Sequence, residues 1–266
     1  MSSDSVYTER GSLKERRMFF KWEARRTITE NGNLLRFIFS LFIMLLICFA
    51  LIFFVETVCI FAGARVGIYF IMAEWFLLFL VGAPLYVGLL RMAYLMSSRR
   101  PTDIPDMLWA FSGGRLRNVY KVSLNCLSVF AAKISISCVI GCLALCVAGF
   151  SPVRENNLLS VEALTATVLI FPLLSGMFPR SFVLPTAFFE NENESFGYVL
   201  DIAKKSVRRH GGEIFLLKFS FFPLFVLSIL SFGILFFIYF LPFYMFTTQL
   251  CASYFTGCVT VENYRK

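Results

Sequence analysis

Few residues of this 266-residue chain could do chemistry, and most of them stand inside apolar runs. Of the eight cysteines, Cys138, Cys142 and Cys146 follow one another at i, i+4 and i+8, which puts three thiols on one face of a helix. With Ser135 and Gly149 they make a stripe of small residues. Such a stripe could hold a soft ion such as copper(I), or let a neighbouring helix approach closely. Close packing is the favoured reading, because a thiolate in lipid needs a cation beside it and the stripe has no C-x-x-C pair. The single histidine, His210, sits beside Arg208 and Arg209, which excludes a His-rich metal site. There is no Gly-rich phosphate loop ending in Lys-Ser or Lys-Thr, and no nucleophile elbow. No catalytic set and no cofactor is expected.

Charges inside apolar runs are costly and by default mark function. Glu74 and Lys133 are the clearest examples. They could pair if the runs that carry them adjoin, as an ion-coupling pair or as a structural bridge; Lys133 could also snorkel to an interface. The structural readings are favoured. A third charge, Arg180, lies among Pro172, Gly176, Pro179 and Pro185. A proline-broken span exposes backbone groups to a substrate in some transporters, whereas a kinked one has its freed carbonyls satisfied by neighbours. Pro84, Pro223 and Pro242 show that kinks are common here, so a kink is expected.

The elements that must position these residues follow from composition. Hydrophobic residues make up 58% of the chain and charged residues 16%, with 33 Phe. A soluble domain has about 45–50% apolar and about 25% charged residues, so an ordinary soluble domain and a disordered chain are both excluded. The stretch 219–258 carries no charge. As one helix it would be about 60 Å long, roughly two hydrocarbon thicknesses, so it must fold back, with Ser231-Phe232-Gly233 the natural break. Backbone amides in lipid must pair internally, and these runs lack the alternation of barrel strands. An all-α polytopic membrane protein is expected, with six transmembrane helices at 35–61, 67–96, 122–149, 163–189, 214–230 and 234–259. Residues 1–34 form a basic N-terminal segment with an interfacial helix, 35–262 the membrane domain, and 263–266 a tail.

The net charge of +8 could point to nucleic acid, but its distribution argues otherwise. Basic residues gather before the first span, between spans two and three, between four and five, and in the tail. Only Arg65 and Arg154 flank the opposite ends. The positive-inside rule then places both termini in the cytoplasm, and no nucleic-acid recognition motif accompanies the charge.

The chain also repeats itself. Glu23-Ala24-Arg25-Arg26 leads to Gly32 and then Arg36, and Ala203-Lys204-Lys205 leads through Arg208-Arg209 to Gly211 and then Lys218. Both read as a basic helix, a glycine stop and a basic residue entering a span. Pro84-Leu85-Tyr86 matches Pro242-Phe243-Tyr244, and Gly113-Gly114-Arg115 is a weaker echo. The plan is three parallel hairpins linked by cytoplasmic amphipathic helices. In 196–210, Phe196, Val199, Leu200, Ala203 and Val207 fall at helical spacing, and Gly211 is a suitable C-cap. Such helices lie in the headgroup plane, so Arg25, Arg26, Lys204, Lys205, Arg208 and Arg209 are the candidate contacts for anionic lipid headgroups. The segment 104–111 reads as a shorter interfacial piece, with Trp109 at aromatic-belt depth.

On the 17–32 helix, Gly82-Ala83-Pro84-Leu85-Tyr86-Val87-Gly88-Leu89-Leu90-Arg91, the 203–212 helix and Phe232-Gly233 through Leu241-Pro242-Phe243-Tyr244, the chain resembles a family of uncharacterised six-span bacterial membrane proteins. That family is distantly similar to the membrane domain of some glycerophosphodiester phosphodiesterases. The resemblance implies a six-span architecture and a bacterial plasma membrane. It implies no site, because the family has no established activity, and the soluble phosphodiesterase barrel with its catalytic acids is absent, so that activity is not implied.

The expected function is a non-enzymatic scaffold or accessory that contacts lipids or partner proteins through its basic cytoplasmic helices, the protein partner being another chain or a second copy. The rival is a small-solute or ion-coupled transporter or channel using Glu74, Lys133 and a broken fourth span.

Overall fold

The computed structural model describes residues 13–61, 68–112, 114–147, 180–231 and 234–257. These residues are helical, with no strand among them. Helix α1 (Leu13–Thr29) leads through a 3-10 turn, Glu30–Gly32, into α2 (Asn33–Phe61). Helix α3 (Ile68–Ser97) is followed by a 3-10 helix, Ile104–Phe111, and by α4 (Leu116–Val147). Then come α5 (Arg180–Glu190), α6 (Phe196–Phe219), α7 (Phe222–Leu230), a π-helical turn, Phe236–Phe240, and α8 (Leu241–Thr256). Four stretches among the described residues are long and apolar enough to cross a membrane: Asn33–Val58, Glu74–Ser97, Phe196–Ser228 and Phe236–Thr256.

The expected helices at 35–61 and 67–96 fall on α2 and α3, and α4 begins ahead of the expected 122. Of the span expected at 163–189, only α5 lies within the described residues. Pro172, Gly176, Pro179, Arg65, Arg154, the Phe232-Gly233 break and the tail lie outside them, as do the side chains of Cys138, Cys142 and Cys146.

The glycine stop is found in one of the two repeated segments only. Gly32 has φ +70° and closes the turn between α1 and α2. Helix α6 instead runs straight through Gly211 and Gly212 to Phe219. Glycine permits a left-handed stop without compelling it. Here the buried stripe Val199, Ala203, Ser206, Ile214 and Leu217 keeps helical spacing across the glycines, so continuing the helix buries it. The break comes at Ser220 and Phe221, just ahead of Pro223, which has no N–H to give the Phe219 carbonyl.

The core gathers at one end of the bundle. Phe20, Ala24 and Ile28 of α1 meet Phe37 of α2, Met92 and Met96 of α3, Phe188 of α5 and Phe246 of α8. Phe37 and Phe246 stack edge to face with centroids 5.4 Å apart. Away from that end, Phe49, Phe53 and Phe54 of α2, Trp75 and Phe76 of α3, and Leu230 beyond α6 are exposed, as side chains facing lipid are.

Two prolines sit inside helices beside α4, and α4 supplies a donor to each. Pro84 in α3 leaves the Leu80 carbonyl without its i+4 N–H, and the Tyr120 hydroxyl donates to that carbonyl at 2.6 Å. Pro185 in α5 does the same to Ser181, and the Cys126 thiol donates to that carbonyl at 3.9 Å. Both freed carbonyls are thus satisfied by a neighbour. One turn beyond Pro84, Gly88 lets the 3-10 helix lie directly on α3, since a Cβ there would overlap the Met107 carbonyl.

Candidate functional site

At the end of the bundle where the core lies, α1 is held by its own charges. Glu23 is almost fully buried and accepts from Arg99 Nη2 at 2.6 Å, which ties α1 to the end of α3. Arg99 has φ +55°, a conformation that costs a non-glycine residue energy and persists only where the surroundings hold it. Arg16 pairs with Glu213 at 3.3 Å. Arg17 donates to the Leu216 carbonyl at 3.4 Å and Lys21 to the Ser220 carbonyl at 3.0 Å. Both acceptors lie at the C-terminus of α6, where orphan carbonyls and the helix dipole favour cations. Burial, helped by Arg17 and Arg25, pushes the Lys21 pKa below the ordinary lysine value. The ammonium also stands 4.5 Å from the centre of the Phe221 ring.

The candidate headgroup contacts are arranged differently. Arg25, Arg26, Lys204, Lys205, Arg208 and Arg209 are all exposed. Arg26 meets Glu30 at 2.8 Å and Lys204 meets Asp201 at 3.4 Å, but exposed pairs of this kind contribute little. The apolar stripe of α6 is spent on protein: Val199 and Ala203 are fully buried, and the helix packs on α5 and α8.

Trp109 departs from expectation. It is buried, with Phe188 and Phe189 packed edge-on against it at 6.1 Å. Arg91 stands 4.4 Å and Arg115 5.1 Å from the centre of its ring. Glu192 accepts from Arg91 at 3.4 Å and faces Arg115 at 3.6 Å, so one carboxylate bridges both guanidiniums. The indole is therefore the centre of a cation–π cluster joining α3, the turn ahead of α4 and the α5–α6 loop, rather than an anchor in an aromatic belt.

Of the three charges expected in the membrane, only Glu74 has a described side chain. Glu74 is half-buried on α3, with no ion-pair partner among the described residues. Lys133 lies on α4 and Arg180 opens α5, and the side chains of both lie outside the described residues.

A different cation lies inside. Lys218, expected only as the basic residue entering a span, is 6% exposed, with its ammonium 5.1 Å from the centre of the Phe182 ring. It lines a cavity of about 710 Å³ between α3, α4, α5, α6 and α8. Ser123, Thr248 and Gln249 are the other buried polar groups of its wall. Gln249 is fixed by the buried Thr186 hydroxyl, which donates to its Oε1 at 2.7 Å. The Ser123 hydroxyl is buried and has no hydrogen-bond partner among the described residues. One signal could have found Lys218: it falls next to Leu217 on the buried stripe of α6, where a solvated lysine does not belong.

No family model, curated protein or solved structure matches the chain, and the functional reading rests on its own residues.

Proposed function

We propose that the chain is a non-enzymatic, multi-pass protein of a bacterial plasma membrane, with six spans in three parallel hairpins and both termini cytoplasmic. It acts as a scaffold or accessory whose basic cytoplasmic face contacts anionic lipid headgroups or a partner protein, another chain or a second copy. One observation carries this reading. Two sets stand out among the basic residues of α1 and α6. Arg16, Arg17 and Lys21 are engaged inside the protein. Arg25, Arg26, Lys204, Lys205, Arg208 and Arg209 are left exposed. Exposed cations near an anionic leaflet contribute about 1 kcal/mol each to its attraction.

The orientation is tested with reporter fusions. Reporters joined near Arg65 and Arg154 should report the outer side, and those near Arg100 and Arg208 the cytoplasm. The opposite pattern contradicts the reading. Turnover of a lipid substrate by the purified protein would overturn its non-enzymatic part.

A further inference from the structure

The cavity between α3, α4, α5, α6 and α8 is not used by the headgroup reading, and none of the six exposed basic residues named there lines it. Its volume of about 710 Å³ falls within the roughly 300–1,000 Å³ of small-molecule sites. Trp75, Leu78, Phe79, Leu90 and Leu127 make much of its wall apolar. Lys218, also in the wall, is already engaged within the protein, so its charge is not left for an ionised ligand to neutralise. What the wall holds in surplus is hydrogen-bond donors. Gln249 is 2% exposed. The Thr186 hydroxyl donates to its Oε1 at 2.7 Å, which leaves the two N–H groups of the amide as its remaining donors. They meet no acceptor among the described residues.

Tyr86 on α3 and Tyr244 on α8 line the same cavity, and neither hydroxyl has a hydrogen-bond partner among the described residues. The Tyr86 phenol lies within electrostatic reach of the Tyr244 phenol and of the Cys126 thiol, itself part of the wall, so both hydroxyls belong to one region of the cavity. Donors left unpaired in an apolar interior cost free energy until an acceptor reaches them. We propose that this cavity binds an uncharged, largely apolar molecule by a carbonyl oxygen, which accepts from Gln249 Nε2, with the Tyr86 and Tyr244 hydroxyls as further donors. A carbonyl suits the wall because it only accepts, whereas an alcohol brings one more donor to a place that already has too many. The carbonyl could stand on a ring, as in a quinone, or in an ester, as in a monoacylglycerol. Both present the same acceptor on an apolar body.

The test uses the full chain in dodecyl maltoside, a detergent without a carbonyl group. Two matched pairs are titrated separately: decylbenzoquinone against decylbenzene, and monolauroylglycerol against its dodecyl ether analogue. Retained ligand is counted by native mass spectrometry. In at least one pair the carbonyl member should bind about tenfold more tightly than its carbonyl-free partner, the gain expected when one acceptor meets two donors. Gln249→Met should remove most of that preference and leave binding of the carbonyl-free partner within about twofold of wild type. A larger preference in the quinone pair assigns the ring carbonyl, and a larger one in the glycerol pair the ester. The proposal is overturned if neither pair shows a preference, if Gln249→Met keeps it, if the folded variant loses both members of a pair alike, or if no probe is retained. Should Gln249→Met fail to fold, the comparison within the pairs on wild type decides alone.

Discussion

The Tyr120 hydroxyl donates at 2.6 Å to the Leu80 carbonyl, the acceptor that Pro84 leaves without its helical N–H. A kink in α3 and a tyrosine on α4 thus form one unit. Tyr120→Phe should destabilise the protein by about 1–2 kcal/mol, because it leaves a carbonyl inside the apolar Glu74–Ser97 stretch without a donor. In a Pro84→Ala background, where the residue at 84 supplies the N–H, the same change should cost much less. Denaturation of the four proteins in one detergent measures the coupling, and simple additivity would mean that the two residues act independently.

Gly88 and Gly82 lie two turns apart on α3 and should respond oppositely to alanine. A Cβ at Gly88 would meet the Met107 backbone, which cannot step aside without moving the 3-10 helix. A Cβ at Gly82 would find Cys48 Sγ at 3.7 Å, an ordinary contact. Gly88→Ala should therefore abolish or sharply lower the yield of folded protein. Gly82→Ala should stay within about 0.5 kcal/mol of wild type. Size-exclusion elution and melting temperature distinguish the two.

Glu192 bridges the guanidiniums that hold Trp109. Glu192→Gln should loosen both and cost about 1–3 kcal/mol. Trp fluorescence is the second readout: the emission of Trp109 should shift to the red as its ring gains contact with water. An unchanged spectrum together with unchanged stability would show that the cluster is ornamental.

Lys21 gives a pH dependence whose sign can be worked out. Burial, then Arg17 and Arg25, lower its folded pKa, so the charged form is penalised in the folded protein. That penalty is fully present below the folded pKa. It fades as pH rises from there to the unfolded lysine value of about 10.4. The contribution of Lys21 to stability therefore grows on the alkaline side. Arg17→Gln should raise the Lys21 pKa, which titration of reductively methylated protein by NMR reads directly. A fall, or no change, would contradict the arrangement at the end of α6.

Much of the helical plan was legible because uncharged runs of membrane length admit few alternatives. Helices α2 and α3 lie where hydropathy alone puts them. Gly211 misled because a glycine marks where a helix can stop, whereas the buried stripe of α6 decides whether it does. Trp109 misled for a related reason: an aromatic residue near basic ones fits a lipid interface and a cation–π cluster equally well, and only the packing of Phe188 and Phe189 separates them. Lys218 was hidden by position. In a linear reading a lysine at the head of an apolar run marks a boundary, and the α6 helix had to be continuous before it could be seen to face inward. The exposure of Lys204, Lys205, Arg208 and Arg209 was legible from the apolar spacing of 196–210, and Arg25 and Arg26 only by the repeat, while the internal use of Arg16, Arg17 and Lys21 depended on partners about 200 residues away.

The measurement that tests the central claim most directly is lipid selectivity at the basic face. Wild type and a variant with Arg25, Arg26, Lys204, Lys205, Arg208 and Arg209 all changed to Gln are extracted in mild detergent from the same membrane, and their bound phospholipids are quantified. Wild type should be enriched in anionic over neutral phospholipid relative to the bulk membrane. The variant should elute as folded protein with that enrichment lost. Equal lipid ratios in the two proteins, or a wild type no richer in anionic lipid than the bulk membrane, would contradict the account.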